Sequence, residues 1–541
     1  MSLSPSRPEP QAAAGRTESV VSHAQEKPEL FIGLIGAVGT DTHRLTDHLR
    51  APLARVGYGV EEIHAIDLPR RFFHWEAEPA PVPVNEYYHA LMDAGNHFRA
   101  RVESNAVMAL LAMAAVREHR WEVKGCPQTP APRTAYIIRS LKTPAEIAAL
   151  REVYGKSFIA IAAYAPKDDR REYLRERVRR SHPGPVCEEE IDALVETVLR
   201  RDEAEPDNLF GQNLEATFPQ ADFFVEMGSA NLERAIARII ELIFGNLFHT
   251  PTRDEYGMFH AVSAGVRSSS LARQVGAAIC TREGELLALG CNEVPKAGGG
   301  LYWEGDENDS RDHVRGYDSN DQMKMRFLRD ILCRLQSSGW LAPGLAGCGE
   351  EELLHEALQP GSTLRQAELM KVIEYGRSVH AEMAALMDAT KRGISVQGCT
   401  LYTTTFPCHN CAKHIVASGV RRVVYVEPYP KSFTRELYSD SIWLDGQGIA
   451  HDEKTTVRFE PFVGISFRQY FSLFSMGNIE RKSNGSRAEW QPRQATLRYH
   501  EHPSAYLARE TEALGRFQEL LRRAGIEPVE PRLREWLREI A

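Results

Sequence analysis

Residues 379–411 read VHAEMAALMDATKRGISVQGCTLYTTTFPCHNC, and the rest of the chain is arranged around them. Strong helix formers run from Val379 to Arg392 and Gly393 is a stop signal, so a helix opens at His380. The β-branched and aromatic content of 399–404 predicts a strand. Pro407 stands where the first residue of a helix tolerates a missing N–H, so Cys408 and Cys411, at i and i+3, share the first turn of that helix. The positive helix end there favours thiolates. A further strand is expected over 420–427, giving the order helix, strand, helix, strand and a buried sheet of βαβ type.

A neutral imidazole from His380 and thiolates from Cys408 and Cys411 form a donor set suited to Zn2+. Three protein ligands leave one tetrahedral position to solvent, as catalytic zinc sites do. Zinc lowers the pKa of a water held there from about 15.7 to roughly 7. Glu382, two residues beyond His380, can sit beside that position without ligating, as the general acid/base of the H-x-E…P-C-x-x-C signature of zinc deaminases. Each half alone has an ordinary reading. A lone Cys-x-x-Cys is more often a structural zinc or redox pair, and a lone His-x-Glu carries little. A structural zinc would need a fourth protein ligand, and the nearest candidate, His409, lies inside the Cys-x-x-Cys.

The totals set bounds on the rest. A chain of 541 residues exceeds one ordinary core, so at least two domains are expected. With 43% hydrophobic and 26% charged residues the composition is that of a soluble globular protein. A net charge of −9 and a pI near 6.1 argue against wholesale electrostatic binding of nucleic acid. Nine cysteines, two of them assigned to metal, argue against a disulfide framework and for a reducing cytoplasm. The longest apolar run, 106–116, is well short of the roughly 20 residues that span a bilayer, so no membrane contact is expected.

Residues 1–28 are rich in Pro, Ser, Ala, Gln and charge and read as a disordered leader. A buried strand follows over 29–35, then the turn Gly36-Ala37-Val38-Gly39-Thr40-Asp41 and an amphipathic helix through Arg50. Strand, glycine turn, helix aims backbone N–H groups at a phosphate. The full phosphate-loop pattern ends in Gly-Lys-Ser/Thr, whereas Thr40 and Asp41 follow Gly39, so the phosphate-pairing lysine is missing. An arginine-dense helix through Arg180 reads either as a phosphate lid or as a solvated face.

Residues 36–41, 91–96 (LMDAGN), 137–142 (IIRSLK) and Gly211-Gln212 resemble a degenerate nucleoside-monophosphate-kinase domain. Placed ahead of the zinc motif, it makes residues 30–474 resemble the bacterial anti-phage dCTP/dCMP deaminases. That resemblance implies an α/β fold: an N-terminal P-loop kinase-like parallel sheet with helices over 29–250, then a cytidine-deaminase-like three-layer α/β/α domain over 251–476. The latter carries an insertion, 298–376, read as a substrate lid or oligomer contact, and 477–541 form a helical tail. The resemblance further implies conversion of dCTP or dCMP to deoxyuridine nucleotides, depleting dCTP during infection. It implies a regulatory nucleotide bound or sensed at Gly36, Gly39, Thr40 and Asp41, a homo-oligomer, and the inhibitory small RNA that restrains some family members.

The run Arg273-Gln274-Val275-Gly276-Ala277 with Gly290-Cys291-Asn292-Glu293-Val294-Pro295 is similar to the deoxycytidylate deaminases, which makes Asn292 the expected substrate contact. A buried Asn capping a turn is the plainer alternative. Arg273, Lys296, Arg377 and Lys431 flank the motifs as candidate phosphate partners or surface charges, and Tyr429 is a candidate rim aromatic. Two other functions share these motifs. A polynucleotide cytidine deaminase would need a basic, aromatic groove for a flanking strand, and a non-catalytic nucleotide or RNA sensor would have no use for Glu382.

Overall fold

A computed structural model describes residues 27–75, 83–182, 184, 186–359, 361–427, 433–444, 455–477 and 480–540. The leader up to residue 26, Tyr429 and Lys431 lie outside the described residues.

The chain builds two six-stranded sheets, each mostly parallel and flanked by helices, so the fold is mixed α/β. The first uses β1 (Leu30–Gly36), β2 (Gly59–His64), β3 (Thr134–Leu141), β4 (Phe158–Tyr164) and β5 (Phe223–Glu226) in the order β5-β4-β1-β3-β2, all parallel. β1 is buried along its whole length, as a central strand covered on both faces must be. The second contains β6 (Gly276–Cys280), β7 (Leu286–Cys291), β8 (Thr400–Thr403), β9 (Arg422–Tyr425), β10 (Ile442–Leu444) and β11 (Val457–Pro461). Its order is β10-β11-β9-β8-β6-β7, with β6 antiparallel to both β7 and β8 and the rest parallel.

Residues 457–465 are divided between the two sheets. After β11, a two-residue strand β12 (Gly464–Ile465) leaves the second sheet and pairs antiparallel with β5, adding an edge to the first. Glu255, in the capping box that opens the helix Arg253–Gly265, fixes this crossing by accepting from the Ile465 N–H at 2.9 Å and from Arg238 Nη1 at 2.7 Å. Two consecutive helices, Val84–Val102 and Val107–Lys124, lie between β2 and β3.

Helix Pro503–Ala524, from the C-terminal tail, also returns to the first sheet. Its Tyr506, Leu514, Phe517 and Leu521 join the core that contains Phe31, Tyr136 and Tyr154. Arg120, fully buried, donates to Glu29 at 2.9 and 3.0 Å and to Glu510 at 2.8 Å, pinning the tail helix to β1's entry. No described helix is long and apolar enough to cross a membrane.

Candidate metal centre and active site

His380 is the N-cap of the helix Ala381–Lys391, with extended backbone, and Cys408 is the N-cap of the helix His409–Ala417. Pro407 therefore precedes the cap instead of opening the helix. Its carbonyl accepts from Thr434 Oγ1 at 3.0 Å, and the extended Cys408 caps a helix that begins at His409, two residues later than its proline suggested. The two helix starts meet above β8. His380 Nδ1 lies 3.2 Å from Cys408 Sγ and 3.4 Å from Cys411 Sγ, and the three donor atoms all fall within 4.8 Å of one another.

This donor set fits zinc. Bonds of about 2.0 Å to nitrogen and 2.3 Å to sulfur at a tetrahedral angle put N and S roughly 3.5 Å apart, close to both distances here. The sulfurs already share a charge: Cys411 hydrogen-bonds Cys408 and, with His380, holds that thiol down to about 4, while Cys411 itself is pushed up. No fourth described His, Cys, Asp or Glu joins the group.

Glu382, 3% exposed, lies in the first turn of the His380 helix. Oε1 accepts from Thr403 Oγ1 at 3.3 Å and Oε2 from Cys411 Sγ at 3.4 Å. Burial, reinforced by the neighbouring Cys408 charge, raises its carboxyl above the ordinary glutamate value. A carboxyl beside a cation site is placed to take up and release a proton during a reaction held there. His409 points away from the three donors' grouping: its Nε2 pairs with Glu374 Oε1 at 3.0 Å, joining the insertion to the metal helix.

Position matters as much as identity here. Gly290 lets the His380 helix lie directly on β7, because a Cβ there would stand 2.2 Å from the Ala381 carbonyl oxygen and 2.4 Å from the Ala385 nitrogen. Motif spacing does not reveal this role. Glu293 and Val379 exchange backbone hydrogen bonds of 3.3 and 3.0 Å, which fixes the entry to His380.

Asn292 lies next to that bridge with both ends of its amide engaged. Oδ1 accepts from the Val275 N–H at 2.7 Å and Nδ2 donates to the Arg273 carbonyl at 2.8 Å, so it holds the turn into β6. The flanking cations are paired too: Arg273 with Glu427 at 3.1 Å, Lys296 with Asp306 at 2.8 Å and Arg377 with Asp312 at 2.8 Å.

Gly36, Gly39, Thr40 and Asp41 lie together at the end of β1. Gly39 has φ +85° and packs against Arg170, and Asp41 caps the helix Thr42–Arg55 by accepting from the Arg44 N–H at 2.9 Å. The loop already holds an anion of its own. The Val38 N–H donates to Asp202 Oδ2 at 2.6 Å, and Lys142 Nζ bridges the Gly36 carbonyl at 2.8 Å and Asp202 Oδ1 at 2.7 Å. Lys142 and Asp202 come from distant parts of the chain, so no loop motif could flag them. The arginines of the helix Lys167–Ser181 face the acids of the next helix: Arg171 pairs with Glu196 at 3.1 Å and Arg179 with Glu188 at 2.8 Å.

Residues 251–427 match the family described as the cytidine and deoxycytidylate deaminase zinc-binding region. The chain is 44% identical over 54 residues to the deoxycytidylate deaminase of Enterobacteria phage T2, covering 10% of this chain and 29% of the phage protein. It is 30% identical over 129 residues to the mouse deoxycytidylate deaminase, covering 24% of this chain and 61% of the mouse protein. The chain thus spans less than two thirds of the length of either relative. Among solved structures, the dCMP deaminase of cyanophage S-TIM5 with dCMP and dUMP is similar at 18% identity and a TM-score of 0.21, covering 40% of this chain and all of that one.

Proposed function

We propose that this chain hydrolyses the exocyclic amine of deoxycytidine nucleotides, dCMP or dCTP, giving deoxyuridine nucleotides and ammonia. The observation that carries the reading is the convergence of His380, Cys408 and Cys411 with a buried carboxylate, Glu382, beside them. The match of 251–427 to a deaminase zinc-binding region and the named activity of the relatives support it.

His380, Cys408 and Cys411 would hold zinc, which supplies Lewis-acid activation of water at neutral pH. Glu382 moves the protons. Its carboxylate takes one from the attacking water and delivers it to the ring nitrogen as the C–O bond forms. It then passes the remaining hydroxyl proton to the amine, which leaves as ammonia as the C–N bond breaks. Thr403 steadies Oε1 during both transfers, and burial raises the carboxyl's affinity for the proton it carries.

The N-terminal unit is read as nucleotide-kinase-like on its strand order β5-β4-β1-β3-β2 and the glycine loop that follows β1. With no lysine in the loop, and with Asp202 seated on its Val38 amide, it binds or senses a nucleotide instead of transferring phosphoryl groups. In the cell the reaction would deplete dCTP as a defence against phage.

Ammonia release by the purified zinc-loaded protein from dCMP, dCTP, CMP, CTP and cytosine-containing single-stranded DNA tests the reading. Turnover confined to the free deoxynucleotides is the expected result. Turnover only on the polynucleotide, or none with zinc fully bound, would overturn it.

A further inference from the structure

A cavity of 420 Å³ opens at the end of the first sheet opposite the glycine loop. Its floor is made by the first residues of β4 and β5, Phe158, Ile159 and Phe223, whereas the loop follows the last residue of the parallel β1. Ligands of parallel sheets usually sit beyond the carboxyl ends of the strands, so the fold class assigns nothing here. Small-molecule sites run to about 300–1,000 Å³, and this hollow falls within that range. Its walls come from the helix Phe467–Phe474, reached through the β12 crossing, and from the residues that lead into the tail helix.

The lining is strongly cationic. Among the described residues it holds Arg151, Lys156, Arg468 and Arg498 against one carboxylate, Asp222. Asp222, 2% exposed, is already occupied: Arg151 Nη2 donates to both oxygens at 3.1 Å, the Ala160 N–H to Oδ2 at 2.8 Å and Gln469 Nε2 to Oδ1 at 3.1 Å. That pairing cancels Arg151 and leaves three positive charges. Glu501, just outside the lining, accepts from the Lys156 N–H at 3.3 Å, but its carboxylate is held by Arg509 at 3.1 Å.

The three remaining cations differ in how they are held. Arg498 donates through Nη1 to the Leu473 carbonyl at 2.6 Å and through Nη2 to the Ser475 carbonyl, which seats the guanidinium without cancelling its charge. Lys156 Nζ stands 5.6 Å from the centre of the Tyr499 ring, with its head exposed. The exposed Arg468 guanidinium lies 5.4 Å from the Phe467 ring and joins no hydrogen bond or ion pair among the described residues. Partial removal from water and the like charge of Arg151 lower its pKa from the ordinary arginine value. Arginine keeps its proton at neutral pH all the same, so an anion is what relieves the repulsion.

Charge also narrows the ligand class. Guanidinium forks match phosphate oxygens two at a time. One phosphate group carries about −1.5 to −2, less than the three charges on offer, and a chain of two or three phosphates meets them. We propose that this cavity binds a polyphosphate group, free or carried by a nucleotide, with Arg468 and Lys156 as its direct partners and Arg498 supplying charge from a fixed seat. The claim concerns binding and does not depend on the deamination reading.

The test is isothermal titration of the full-length, zinc-loaded protein with inorganic triphosphate, zinc content being measured before and after. Salt is held at 0.15 M, where the Debye length of about 8 Å screens distant charges. Triphosphate should bind more tightly than about 1 mM. Arg468→Gln, at an exposed head with no partner to lose, should weaken it at least tenfold, and Lys156→Gln should do the same. Arg522→Gln removes an equally exposed charge roughly 30 Å along the tail helix and should leave the affinity unchanged. ATP titrated alike separates the two sources. Affinity at least tenfold above that of triphosphate and lost in Arg468→Gln identifies a nucleotide; equal or weaker affinity, or affinity that Arg468→Gln leaves alone, makes the free polyphosphate the ligand. No binding of triphosphate, triphosphate binding that neither cavity variant weakens, or a loss that Arg522→Gln reproduces would overturn the proposal.

Discussion

Replacing Glu382 with glutamine isolates the proton transfers from everything else the site does. Glutamine has the same shape, its amide oxygen can still accept from Thr403 Oγ1, now 3.3 Å from Oε1, and its amide N–H can donate to a Cys411 thiolate, now 3.4 Å from Oε2. His380, Cys408 and Cys411 are unaltered, so zinc content should stay at one per chain. Stability should hold or rise slightly, because a neutral amide removes the desolvation that raises this carboxyl. The lost function is proton exchange alone, which contributes about 10²- to 10⁴-fold, or roughly 2.7–5.5 kcal/mol of barrier. Ammonia release from dCMP and dCTP, measured with metal content on the same preparation, should fall by that factor in kcat. A variant within tenfold of the wild-type kcat and fully loaded with zinc would refute the assignment. Loss of zinc with loss of activity would instead make Glu382 a group that positions the metal.

Gly290→Ala should push the His380 helix off β7 and lower zinc occupancy, read by metal analysis of the purified variant; full occupancy would mean the helix can shift without opening the site. Chelation of the wild-type protein should abolish ammonia release and lower the thermal midpoint, and zinc should restore both, since a metal that binds only the folded chain stabilises it. Arg120→Met leaves Glu29 and Glu510 buried without their cation and should destabilise the fold by about 3–5 kcal/mol in urea unfolding; a shift under 1 kcal/mol would show that the carboxyls simply take up protons. Burial alone would raise Asp254, but Arg422, donating at 2.6 and 2.7 Å, and the Tyr402 hydroxyl at 2.8 Å hold its carboxyl below the ordinary value. Because the folded value is depressed, that stabilisation is present above the unfolded value of about 3.9 and disappears as pH falls through the folded one. Asp254→Asn should therefore be less stable at pH 7 by about 1–3 kcal/mol and show a flatter loss below pH 4; identical acid limbs would contradict this.

What could be read from the chain alone follows the range of the interactions. His380, Cys408 and Cys411 lie within one helix-strand-helix passage, so spacing and helix starts were enough to predict that their donor atoms meet. The start of the second helix falls two residues beyond the expected one because a proline marks a helix opening only approximately, and Pro407 is instead engaged by the tertiary bond from Thr434. The division of 457–465 was not legible, since two residues carry no periodicity and β12 owes its place to β5 and Glu255. Lys142 and Asp202 at the glycine loop, and Glu510 beside Arg120, are long-range pairings that composition and local pattern do not encode. The polar look of the tail concealed an apolar stripe, Tyr506, Leu514, Phe517 and Leu521, that acquires meaning only against the first sheet.

That return of late residues to early strands bears on how the polypeptide matures. Strands 30–226 leave the ribosome first, yet their outer edge waits for residues 464–465 and one face waits for the helix at 503–524. Contacts so far apart in sequence form slowly, and the unfinished sheet must be held with apolar surface open throughout synthesis of the second unit. Truncation of the last 40 residues should therefore harm the first-made half of the molecule more than the half that carries the zinc ligands.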